Sequence, residues 1–427
     1  MLAFRKLRGM DRNVWIRVIG ETVTNSTKMM LMPFFALYLE NRVDSMFKVG
    51  FIMSIAPIAS LFGGMIGGRL ADLYGRKRIM VYSTVSNAII LMSFTLFDGY
   101  KAYLILSILM GLSNSFFSPA SSAMVADVTN QEQRTEAYGL LRVGHNLGTA
   151  IGPIIGSTVV FFSKDALFYI TSITLFLYSL VLIFFLRETL PLHKPSIKKE
   201  PKQQNITTKE LLKIILSDKL LIFYITTGII ISMGFSQIEG MLPLYFKQTL
   251  SIVFEKWSLY PFLMSINGLL VVLFQFPISG YLSKKSIGKA MYYGTQLFGI
   301  GILSFGMLPP LFVLYGTGKL LIIVILIFVT VYYTMGEMVM SPVQMTFVAN
   351  IAPEHLRATY MAVGGFQLTI GGFLGPLIGG WFFDLKLGLW LFIFLGAGVI
   401  IAGLTYRSLD GKVAMREQEQ NHALKYL

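Results

Sequence analysis

The chain has 427 residues, 54% hydrophobic, 14% charged and 14% aromatic, where a soluble domain carries roughly 25% charged residues. Apolar runs recur from end to end, each of the about 20 residues needed to cross a bilayer core about 30 Å thick. That excludes a soluble enzyme. Although the net charge is +14, the bases sit in the connections between apolar runs, which argues against a nucleic-acid binder.

Lipid offers backbone groups no partners, so the spans are expected to be helices. The amino terminus, MLAFRKLRGMDRNVW, has bases but no short apolar core with a cleavage site, and reads as a lead-in rather than a cleaved signal. The first span, 14–40, holds Glu21, Asn25 and Lys28 at i, i+4 and i+7, one polar stripe that suits either a buried Glu–Lys pair or a cavity lining. The second, 47–71, runs into GGRLADLYGRKR (Gly67–Arg78), a turn crowded with glycines and bases around Asp72. The third, 79–97, and fourth, 101–126, follow, with Asp127 closing the fourth. The fifth, 135–161, has Arg142, His145 and Asn146 on one face. Gly148, Gly152 and Gly156, spaced by four, allow another helix to approach closely, and Pro153 removes a helix hydrogen bond.

After the sixth span, 166–186, comes RETLPLHKPSIKKEPKQQNITTKELLK (187–213), polar and rich in Lys and Pro. It reads as a linker with a short amphipathic helix near Thr208–Ile215. It divides the chain into a bundle at 1–187, a linker at 188–215, a second bundle at 216–410 and a tail at 411–427. The seventh span, 219–246, carries Gln237 and Glu239, and the eighth and ninth are 257–282 and 289–309. The tenth, 318–348, carries Glu337, the only charged residue between Lys319 and Glu354. The eleventh and twelfth are 356–383 and 387–407.

The loops alternate in charge. The N-terminus, Arg76–Lys77–Arg78, Arg134, the 187–213 segment, Lys284, Lys285, Lys289, Arg357 and the tail gather most of the bases. Basic loops stay cytoplasmic, which places both termini inside.

Sliding the chain by 223 residues lays SPASSAMVADVTNQEQR (from Ser118) over SPVQMTFVANIAPEHLR (from Ser341), and GTAIGPIIG over GGFLGPLIG. Ten of 39 positions in 118–156 are identical, including Pro119, Arg134 and Pro153. The fold expected is an all-α polytopic membrane protein of twelve helices in two pseudo-symmetric six-helix bundles. In such repeat proteins the substrate site lies between the halves near the midplane.

These residues carry a family resemblance over 14–407. GGRLADLYGRKR resembles the loop signature of the major facilitator superfamily, with Gly68, Asp72, Gly75, Arg76 and Lys77 at its spacing. GTAIGPIIG resembles the fifth-span signature of that superfamily's drug–proton antiporters. The resemblance implies a cytoplasmic latch, in which Asp72 faces the start of the eleventh helix near Arg357–Met361 and Arg76 pairs with Asp127. It also implies a sealing role for the Gly148–Gly156 element, associated with export. The chain departs from the pattern in its fourth span, where Ser107 stands near the place of an arginine, so either another base, Arg142 or Lys28, serves proton coupling or the coupling is absent.

A charge inside a span marks function by default. Glu337 ranks first as the proton-carrying group, Glu21 second and Glu239 third. Asn25, Lys28, Arg142, His145, Asn146 and Gln237 are the expected lining of the substrate cavity. No GxxxxGK[ST] motif is present, so ATP is not the expected fuel, and with no cysteine and four scattered histidines no metal is expected either; no cofactor is expected. The leading expectation is a monomeric exporter of amphipathic compounds in a bacterial plasma membrane, exchanging them for protons. Alternatives are a flippase for a lipid or glycolipid, with Lys28 and Arg142 holding an anionic head, and an importer of a small metabolite.

Overall fold

A computed structural model describes residues 9–190, 208–254, 259–282, 285–353, 356–409 and 411. Lys284, most of the linker and nearly all of the tail lie outside this set. All described secondary structure is helical. The first half contains α1 (Arg12–Glu40), α2 (Met46–Tyr74), α3 (Arg76–Leu96), α4 (Tyr100–Asp127), α5 (Gln131–Phe162) and α6 (Lys164–Phe185). A short helix, α7 (Thr208–Ser217), falls where the linker pattern placed one. The second half contains α8 (Lys219–Gly240), α9 (Leu242–Leu250), α10 (Leu259–Leu282), α11 (Ile287–Leu314), α12 (Lys319–Ile351), α13 (Arg357–Gly364), α14 (Phe366–Asp384) and α15 (Gly388–Thr405).

Two expected spans are interrupted, at Met241 between α8 and α9 and at Gly365 between α13 and α14. The ninth runs on to Leu314, because each proline at 309 and 310 removes only one backbone donor. Side chains set several of the starts. Asn130 and Gln133 form a capping box on α5, and Asp218 accepts from Leu220 and Leu221 at 3.1 Å to begin α8. Among the described residues, nine helices are long and apolar enough to cross a membrane. Beside them stand α1 and α5, whose interiors carry charge, and α10, with a shorter apolar stretch at Leu259–Gln275.

The repeat is visible as packing. A methyl group added to Gly148, Gly152 or Gly156 would lie 2.6–2.8 Å from backbone atoms of α1 at Thr22, Ser26 or Met30. Gly144 extends this seam by one more turn, 2.9 Å from Val18 O. The counterparts 223 residues on meet α8: Gly371 at 2.9 Å from Met233 N, Gly375 at 3.2 Å from Met233 O and Gly379 at 2.6 Å from Gln237 Oε1. Helix α5 thus sits on α1 as α14 sits on α8, with small residues replacing the hydrophobic drive that lipid withholds. Gly152→Leu is expected to cost about 1–3 kcal/mol by overpacking. It would show as a lower melting temperature in detergent, whereas Leu at Gly139, which meets nothing within 4 Å, should leave melting unchanged.

The halves touch through α2 against α14 and α5 against α10. Along one face of α2, at seven-residue steps, the contact fades. A methyl added to Gly50 would clash with the backbone of Pro376 and Gly380 of α14, one on Gly372 of α14 would reach ordinary contact with Pro57 at 3.5 Å, and one on Gly64 would meet nothing within 4 Å. The bundles are therefore closed at the end away from the termini and splayed at the end that carries them.

Candidate functional site

The amino-terminal wall is built from α1, α4 and α5. Arg17, one turn before Glu21, is buried. Its guanidinium donates to Glu21 Oε2 and Ser121 Oγ and lies 4.9 Å from the Phe117 ring centre. The other Glu21 oxygen is 3.0 Å from His145 Nδ1 on α5. Glu21 is thus enclosed by Arg17 and His145, and of the two arrangements the polar stripe allowed, the pair with Lys28 does not form. Lys28 is exposed seven residues on, and neither it nor Arg142 makes an ion pair among the described residues. Arg17, not Arg142 or Lys28, is the base beside the first-span acid.

Asn25 is not cavity lining. It is buried in the α1–α5 seam, where Nδ2 donates to His145 O at 2.6 Å and Thr149 Oγ1 at 2.8 Å. Gln237 is likewise buried in the α8–α14 seam, donating to Gly375 O. Both amides bind helices together, since in lipid a polar side chain must find a partner inside the protein. Asn146 is half-buried, and Arg142, one turn before it, is exposed.

In the carboxy-terminal wall Glu337 lies 18 residues from one end of α12 and 14 from the other, near mid-membrane. Asn267 Nδ2, from α10, donates to Glu337 Oε2 and to Thr334 Oγ1, both at 2.9 Å. No base among the described residues pairs with Glu337. Glu239 on α8 is exposed and follows Ile238, whose carbonyl accepts from Tyr260 Oη of α10 at 2.7 Å.

At the termini end, Gly75 takes φ 105°, a turn that glycine permits, and Arg76 begins α3. Arg76 Nε reaches Asp127 Oδ2 at 3.3 Å, as expected. Asp72 instead pairs with Arg76 at 2.9 Å within its own half and is largely exposed, and it makes no contact with the other half among the described residues. The Arg357 side chain lies outside the described set. Gly68 is not the close-packed glycine: an added methyl meets only Pro119 at 3.7 Å, whereas one on Gly67 would be 2.6 Å from Phe116 Cα. The start of the linker is fastened here. Glu188 Oε1 accepts from Arg76 N at 2.9 Å, Thr189 Oγ1 donates to Asp127 at 2.9 Å, and Asn13 exchanges two hydrogen bonds with the Arg187 backbone.

At the closed end Asp384, the last residue of α14, crosses to the other half. Its carboxylate accepts from Ser45 Oγ at 2.6 Å, Met46 N at 2.6 Å and Phe47 N at 3.0 Å, capping the start of α2. Lys247 of α9 pairs with Glu40 of α1 at 2.6 Å. These residues, with Arg17 and Asn267, were missed in the sequence. Arg17 and Glu21 at i, i+4 carried a readable signal, as did the two amides, Asn267 and Gln275, in the largely apolar α10. Asp384 and Lys247 look like ordinary span ends.

The Major Facilitator Superfamily profile matches residues 18–376. Over 94% of this chain and 96% of its own, a Na(+), Li(+), K(+)/H(+) antiporter of Planococcus maritimus is 26% identical. A multi-drug resistance efflux pump PmrA homolog of Lactococcus lactis is 27% identical, covering 86% of this chain and 87% of its own. Among solved structures, a nucleoside transporter, NupG, superposes with a TM-score of 0.75 at 14% identity, covering 93% of this chain and 99% of that one.

Proposed function

Because the chain belongs to the major facilitator superfamily and is a transporter, not an enzyme, we propose that it exports amphipathic small molecules in exchange for protons. All twelve long helices cross the plasma membrane, with both termini in the cytoplasm. The observation that carries the reading is Glu337, a mid-span carboxylate with an amide partner and no described counter-charge. Such a group gives up its charge by taking a proton, which is the step an exchanger needs. Protonation from outside accompanies substrate release. Loss of that proton inside readies the site for the next molecule. The splayed termini end is then the inward-open state of an alternating-access cycle, and relatives named as multidrug resistance proteins support the substrate class.

In inverted vesicles energised to hold a proton gradient, amphipathic compounds added in turn as cation, anion and zwitterion should include one that dissipates the gradient only when the protein is present. A gradient indifferent to all three speaks against the proposal. The Planococcus relative favours a second reading, exchange of monovalent cations for protons. Dissipation by Na⁺ or K⁺ salts with no amphipathic compound added would favour it.

A further inference from the structure

Four charged groups deep in the spans form no ion pair among the described residues, and they divide by sign between the halves. Lys28 and Arg142 belong to the amino-terminal half, Glu239 and Glu337 to the carboxy-terminal half.

Their placement directs them at the space between the bundles. At about 100° per residue, Lys28 lies within about 20° of both Arg17 and Glu21 on α1. Those two meet α4 through Ser121 and α5 through His145, so this line faces the interior. Lys28, farther along, is exposed there. On α5, Gly144 and Gly148 face α1, and Ala150 meets Gly268 of α10. Arg142 falls between these two directions, while Leu147, Ile151 and Ile154 take the lipid side. Across the gap, Glu337 is turned to α10 by Asn267. Glu239 is exposed and follows Ile238, whose carbonyl accepts from Tyr260 Oη of α10 at 2.7 Å, so it sits beside the same helix that holds Asn267.

The space is thus walled by cations on one side and carboxylates on the other. A singly charged guest would neutralise one wall and leave the other bare in a low-dielectric cavity. A guest with both signs satisfies both through charge-assisted hydrogen bonds. We propose that the transported compounds are zwitterionic amphiphiles: an acidic group and an amine on one apolar frame, the acid toward Lys28 and Arg142, the amine toward Glu239 and Glu337. This rests on the reading of the cavity as the substrate site and names the substrate's charge pattern.

The test is equilibrium binding to the purified full chain in nanodiscs, with no gradient, using three related probes. Norfloxacin carries both an amine and a carboxylate, its ethyl ester only the amine, and its N-acetyl derivative only the carboxylate. Norfloxacin should bind about tenfold or more tightly than either derivative, the size of one charge-assisted contact. Lys28→Gln with Arg142→Gln should close the gap between norfloxacin and its ester. Glu239→Gln should narrow the gap to the N-acetyl form. Both variants should unfold at the wild-type temperature, since these side chains are exposed. An ester that binds as well as norfloxacin, a gap unmoved by the variants, or no binding of any probe overturns the proposal. Tight norfloxacin binding without substrate-driven proton movement would instead remove proton antiport and leave the charge pattern standing.

Discussion

Glu337→Gln is expected to abolish substrate-driven proton movement, reducing it to that of vesicles without the protein, while the chain folds and still binds substrate through Lys28, Arg142 and Glu239, more weakly by one charge-assisted contact. The amide keeps the shape of the carboxylate and an oxygen for the Asn267 donor, so the α10–α12 contact survives. What disappears is the capacity to carry a proton across the closed stage of the cycle. The effect should exceed that of Glu21→Gln. Glu21 is held by Arg17 and His145, and its loss leaves Arg17 buried with a partner missing, a defect of about 3–5 kcal/mol that lowers melting temperature first. Fluorescence quenching of a pH dye in inverted vesicles, with binding measured on the same preparations, separates the two. Undiminished proton movement in Glu337→Gln removes this residue from the mechanism and shifts attention to Glu21.

Gly380→Leu is expected to hold the protein out of the conformation seen here. A side chain at this position would lie 2.9 Å from Met46 C and 3.0 Å from Phe47 Cα, backbone atoms of the other half that no rotamer change can move. The strain falls on one state only. A penalty of about 1–3 kcal/mol shifts a two-state balance by roughly 5- to 150-fold, and transport should fall accordingly. The natural chain has no cysteine, so spin labels on introduced cysteines at Asn41 and Ser251, on opposite halves at the closed end, report without background. Their separation should lengthen in Gly380→Leu. An unchanged distance with normal transport would show that this end need not close so tightly. Asp384→Ala should move the same distance in the same direction by a smaller amount, since it removes attraction without adding a clash.

The spans were legible because hydropathy and length dictate them, and the short helix at Thr208–Ser217 because its apolar residues recur at helical spacing. The α5 and α14 seams were legible too: glycines at four-residue spacing have few uses in lipid besides close approach, and the 223-residue echo doubled the signal. Asn25 and Gln237 were misplaced because spacing gives the face of a helix, not what lies against it. Arg17 was hidden near a span end, where a base reads as anchoring to the membrane surface. Asp72 was assigned a partner that depends on which end of the molecule is open, and a sequence encodes every stage of a cycle at once.

Two of the three donors to Asp384 are main-chain N–H groups, at Met46 and Phe47. Natural variation at either position leaves those donors in place, short of proline. On the amino-terminal partner, drift therefore reaches this clasp only through the Ser45 hydroxyl, and heritable loosening is concentrated at codons 45 and 384, the neighbouring glycines and the Lys247–Glu40 pair. Under selection for faster opening at that end, independent lineages should converge on those few codons.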